Sequence, residues 1–274
     1  MHSRRDRRAC RGKGGTARRP GYHRRTMIAC LLTSFLTCQE PPPAPARTPE
    51  AQVAVPKAVE AWSDKTAKTE VEALARLMKG TPSMAQKNQA LDKLATGSNV
   101  LLLKPLAEIV EKDKSVVIRK RAAELVANQP PKEANATIRK LLKSARVGSQ
   151  PAVTAELVRG LARTGYDTTQ WHEVEGIFER AYEPECVPLQ EAILELVVKH
   201  KEKEAVPLLL RNLDEPTPQN VDHADNPPAE YWEARWKAWS AWRGKVKDAL
   251  FTITGQRFST AAEATAWLKQ NPLQ

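Results

Sequence analysis

Residues 121–127 read "RAAELVA", and a gapless comparison finds four further copies: "QALDKLA" (89–95), "ELVRGLA" (156–162), "EAILELV" (191–197) and "DALFTIT" (248–254). The second column holds Ala90, Ala122, Leu157, Ala192 and Ala249, and the third Leu91, Ala123, Val158, Ile193 and Leu250. The sixth holds Leu94, Val126, Leu161, Leu196 and Ile253. These positions share one face of an α-helix, so five helices are predicted to bury the same stripe. The copies end 32, 35, 35 and 57 residues apart. A period near 35 suits antiparallel helix pairs, each of which buries its stripe only against its neighbours.

Apolar residues spaced by three and four run from Lys57 onward, with Gly and Pro between segments and no persuasive period-two strand. The expected fold class is therefore all-α: an α-solenoid of about five antiparallel helical hairpins over residues 57–256. "VVIRKRAAELVAN" (116–128), with Asp113 ahead of Arg119, resembles the second helix of a HEAT repeat. "EAVPLLLRNLDEP" (204–216) and "VLLLKPLAEIVEKD" (100–113) resemble first helices, the latter with Pro105 at the mid-helix place where that family accepts a proline. The long fourth interval is assigned to an insertion at 217–236, an expected loop and lengthened helix. "ALFTITGQRFSTAAEATAWLKQNP" (249–272) resembles a C-terminal module of bacterial HEAT-repeat proteins, which makes 257–274 the expected capping helix. Gly255 suits a left-handed helix end, and Thr260 with Glu263 forms a potential capping box.

The N-terminal region has a different character. Residues 1–26 hold nine Arg and one Lys against one Asp, so the remaining chain has 33 basic and 31 acidic side chains. The high pI belongs to this leader, and the bland reading is that translation starts near Met27 or that the leader is an over-long basic region of the signal. The eleven uncharged residues from Met27 to Thr37 are too few for a membrane span, which needs about 20. They fit the apolar region of an export signal over residues 27–38. "FLTC" (35–38) resembles a bacterial lipobox, and that resemblance implies lipidation of Cys38 and a membrane-anchored envelope protein. Ordinary signal cleavage, a retained anchor and a cytoplasmic location stay open as alternatives. On the lipoprotein reading Cys10 and Cys30 are removed and Cys186 is left unpaired, so no disulfide framework is expected. Residues 39–56 are expected to form a disordered Pro/Ala-rich linker that, in polyproline II from Pro41, would reach roughly 50 Å.

The sequence shows no catalytic constellation. "HEVEG" (172–176) has Gly176 where a zinc-protease helix needs its second histidine. Asp222, His223 and Asp225 fit no established metal cage. No phosphate-binding loop, nucleophile elbow or dinucleotide fingerprint occurs. No metal, cofactor or enzymatic activity is therefore expected, and a nearly neutral mature chain makes nucleic acid an unfavoured partner. Trp232, Trp236, Trp239 and Trp242 lie along one broad helical stripe whose expected place is the core of the C-terminal cap. The alternative is an exposed stripe that stacks on sugars or docks a partner.

The polar columns offer the remaining candidate site. Position one holds Arg121, Glu156 and Glu191, and position four Glu124 and Arg159. Stacked helices would bring Arg121 near Glu156 and Glu124 near Arg159. The bland reading is a solvated face with weak ion pairs. The functional reading makes Arg121, Glu124, Glu156, Arg159 and Glu191 a protein-binding face, with both arginines anchoring an acidic or amide-rich segment. The expected function is a membrane-tethered, non-enzymatic protein-binding scaffold of the bacterial cell envelope, with the partner unidentified. An envelope glycan-binding module is the alternative; the resemblance of some HEAT-like repeats to bilin lyases adds an accessory factor of a lyase-like enzyme.

Overall fold

The computed structural model describes residues 59–180, 182–218 and 225–273. The leader, the signal with Cys38, the linker, Asp222 and His223 lie outside the described residues. The described chain is all-α, with twelve helices: α1 Asp64–Lys79, α2 Met84–Leu94, α3 Leu103–Lys112, α4 Val116–Val126, α5 Pro131–Leu142 and α6 Ala145–Gly148. These are followed by α7 Pro151–Leu161, α8 Trp171–Phe178, α9 Val187–His200, α10 Val206–Arg211, α11 Ala229–Thr254 and α12 Ala261–Gln270.

Local chemistry sets many of the helix ends. Ser63, Ser83 and Ser115 cap α1, α2 and α4 by accepting an exposed backbone N–H, and Gln86 completes a capping box with Ser83. Pro131 and Pro151 open α5 and α7, while Pro188 and Pro207 sit in the first turns of α9 and α10, where a missing N–H costs no helical bond. The same rule corrects the expectation for Pro105. The chain enters α3 through a 3-10 turn at Val100–Leu102, so Pro105 lies in the first α-helical turn and not in mid-helix. Gly255 ends α11 with φ of 72°, and its N–H donates to the Phe251 carbonyl. At α12 Thr260 accepts from the Glu263 N–H, while the Glu263 carboxylate accepts from the Ser259 N–H, so the box closes one residue early.

The aligned copies lie on α2, α4, α7, α9 and α11, and these helices pack in that order. Five other helices back them: α1 lies against α2, α3 against α4, α5 against α7, α8 against α9 and α10 against α11, while α6 packs on α7 and α12 on α10. This packing is consistent with a helical-repeat arrangement. It places the repeat columns in one continuous core: Leu91, Ala123, Val158, Ile193 and Leu250 are buried in the third, and Leu94, Val126, Leu161 and Leu196 in the sixth. Gly160 serves this packing directly, since a Cβ there would meet Ala127 at 3.0 Å and Ile138 at 3.1 Å.

One small feature was not legible from periodicity. Glu60–Ala61 (β1) pairs in parallel with Gly97–Ser98 (β2), fastening the start of the domain to the end of the first helix pair. Trp62 lies over Gly97 so closely that a Cβ there would come within 2.0 Å of the indole. The Asn99 amide donates to the Trp62 carbonyl and to Asp64, securing the same junction.

Candidate functional site

The charged columns of the repeat helices meet as a ladder across α2, α4, α7, α9 and α11. Arg121 on α4 donates to Glu124 at 2.7 Å and to Asp92 on α2 at 3.4 Å. Lys120 lies 3.7 Å from Glu156 on α7, and Glu156 accepts from Arg159 at 3.0 Å. Arg159 reaches Glu195 on α9 at 3.3 Å, and Lys245 on α11 bridges Glu191 at 3.3 Å and Glu195 at 3.2 Å. Positive and negative groups therefore alternate from one helix to the next. Partial burial disfavours the Arg121 cation, but Glu124 and Asp92 more than offset it and hold its pKa above the ordinary arginine value.

All five expected face residues belong to this ladder, but the cross-helix partners are corrected. Arg121 bonds Asp92 and Glu124 instead of Glu156, and Glu156 takes Lys120 instead. Arg159 bonds Glu156 on its own helix and Glu195 on the next, not Glu124. The Lys120–Glu156 and Arg159–Glu195 links run one residue out of step with the aligned columns, and the Arg121–Asp92 and Lys245–Glu191 links three. A step of one residue turns a side chain by about 100° around an α-helix, enough to exchange a stacked neighbour for a flanking one. Lys120, Glu195 and Lys245 were missed because these offsets place them outside the two charged columns. Glu195 had a signal in the sequence, since it stands four residues beyond Glu191 and shares its face.

Between α7 and α9 the ladder borders an open groove of about 290 Å³. Its floor includes Ala162, Ala192 and Leu196, and its rim includes Arg159, Arg163, Glu195 and Lys199. Arg121 and Arg159 are each about one-third exposed, so their guanidinium groups remain within reach of a bound chain.

The tryptophan stripe divides. Trp242 is buried, donates to the side-chain Oε1 of Gln190 at 2.9 Å and meets Phe178 edge-on with ring centroids 5.1 Å apart. Trp239 is also buried, with the Arg243 guanidinium 5.0 Å from its ring centroid. Trp232 is half-buried, and Arg235 lies between its ring and that of Tyr182. Trp236 corrects the core expectation: it is 46% exposed, and its indole N–H donates to Glu215 at 2.7 Å. The helical turn that buries Trp239 and Trp242 carries Trp236 toward solvent.

The chain matches no protein-family model, and comparisons with curated proteins and with solved structures find no match. Among the described residues no His, Cys, Asp and Glu side chains form a group of three able to hold a metal ion. No helix among them is long and apolar enough to cross a membrane. Cys186 is buried, and burial followed by the nearby Glu183 carboxylate pushes its thiol pKa up to about 11. That shift keeps it protonated and weakly nucleophilic near neutral pH.

Proposed function

We propose that this chain is a membrane-tethered, non-enzymatic binding scaffold of the bacterial envelope, built as a HEAT-type α-solenoid of about five hairpins and anchored through Cys38. The observation that carries the binding reading is the continuous charged ladder beside the α7–α9 groove. Each arginine on the ladder already contacts two carboxylates. A strongly acidic partner must displace those carboxylates, whereas an amide-rich segment can accept from the guanidinium and donate to its acidic neighbours. The partner chemistry is therefore an extended, amide-rich polypeptide with small apolar side chains over Ala162 and Ala192.

Affinity capture from envelope extracts tests this with the Arg121→Ala, Arg159→Ala double variant beside the unaltered protein. Loss of a specific captured protein at an unchanged melting temperature supports the ladder as the binding face. Undiminished capture by the double variant removes it.

Exposed Trp236 favours a second reading, glycan binding. Glu215 holds the indole by its N–H and leaves a ring face for a sugar to stack upon. Saturable quenching of fluorescence by an envelope oligosaccharide, abolished by Trp236→Ala, would favour this reading over the ladder.

A further inference from the structure

The helices that back the ladder contain a second site of different chemistry. The end of α5, the short α6 and one side of α8 with the residues that follow it border an open cleft of about 620 Å³. Lys143, Ser144, His172 and Arg180 line it together with Glu173 and the apolar side chains of Leu142 and Ile177. The Glu173 carboxylate is only 5% exposed and is claimed twice, by Arg139 at 2.7 Å and by Lys143 at 3.0 Å. Two cations thus share one anion, and the pair hold Glu173 ionised.

Arg180 adds to this imbalance. Among the described residues it forms no ion pair, although it lies along the cleft wall close to the backbone of α6. Its Nη1 stands 3.1 Å from the place a Cβ on Gly148 would occupy, so the glycine leaves room for the guanidinium. Ser144 contributes a hydroxyl that makes no capping bond to α6. An arginine fork, a lysine point charge, a hydroxyl and the exposed His172 imidazole therefore come together from three elements. Donors of this kind with a surplus of positive charge recognise an oxyanion rather than a neutral ligand.

We infer that the α5–α6–α8 cleft binds a small organic phosphate, with its oxyanion between Arg180, Lys143 and Ser144 and its apolar body over Leu142 and Ile177. Arg139 and Lys143 already occupy Glu173, so that with Arg180 the surplus of positive charge disfavours a ligand with a cation at the same position. This site is independent of the ladder, which lies on other helices.

Phenyl phosphate titrated into the protein by calorimetry tests the assignment, with inorganic phosphate as the arm lacking an apolar body. The expected result is one saturable site that takes phenyl phosphate more tightly than inorganic phosphate. Arg180→Ala and Lys143→Ala should each weaken it about tenfold or more, because each removes a charge-assisted contact. Gly148→Ala should also weaken it by displacing Arg180, while Arg76→Ala on α1 should leave it unchanged. Arg180→Ala changes an exposed side chain, so an unaltered melting temperature identifies its effect as one on binding; Lys143→Ala also breaks the pair with Glu173, so its affinity is compared well below its own melting temperature. Absence of saturable binding, or an affinity that both variants leave intact, overturns the site.

Discussion

Trp242 and Trp236 are six residues apart on one helix and call for outcomes of different size on truncation. Trp242→Ala removes a fully buried indole, opens a cavity beside Phe178 and strands part of the Gln190 amide, so it should cost about 3–5 kcal/mol. Trp236→Ala gives up an exposed ring and one surface hydrogen bond, for a cost of about 1 kcal/mol or less. Urea denaturation of the two variants checks the contrast. Glu173 supplies a further test at this scale. Its hydrogen bond from Arg139 outweighs burial and, with Lys143, depresses its pKa from 4.5 to about 2. The carboxylate therefore stabilises the fold above its unfolded value, and that contribution is lost as pH falls from about 5 through 2. Glu173→Gln should remove on the order of 2 kcal/mol at pH 7, allowing for the exposure of Arg139 and Lys143, and should flatten the acid limb between those values. A stability profile parallel to that of the unaltered protein would contradict the assignment.

Helix ends give a matched pair of predictions at the scale of the element. Both α9 and α11 finish on a left-handed residue, Lys201 with φ of 50° and Gly255 with φ of 72°. A side chain at such a position is strained, while glycine is not. Lys201→Gly should thus stabilise the protein by about 0.5–1 kcal/mol, and Gly255→Ala should destabilise it by about 1 kcal/mol. Equal signs in chemical denaturation would refute the capping argument. Gly255, Thr260 and the apolar columns were legible in the sequence because their causes are local: a sign of φ, a hydroxyl beside an N–H, a recurring face. The ladder was legible only to within one to three residues, because a gapless alignment fixes which helices stack but not their rotation about their axes. The Trp62–Gly97 contact was not legible at all, as it depends on two distant segments meeting.

At the scale of the molecule, the packing predicts how damage spreads. The central helix α7 touches α4, α5 and α9, whereas α1 stands at one end and buries only Ala67 and Leu74. In a stack held by contacts between neighbours, an interior helix couples both halves, while a terminal helix can detach and leave the remainder paired. Leu161→Ala on α7 and Leu74→Ala on α1 each remove a buried leucine and should each cost about 2–5 kcal/mol locally. The consequences should nevertheless differ. Hydrogen exchange followed by mass spectrometry should show the Leu74→Ala cost as faster exchange confined to α1 and the adjoining β1–β2 clip. Leu161→Ala should accelerate exchange in α4, α5, α7 and α9 together, because each packs against the cavity or against a helix that does. If Leu74→Ala instead raises exchange evenly from α1 to α12, the described domain unfolds as one cooperative body. Its stability would then depend on the whole core rather than on the sum of neighbouring helix pairs.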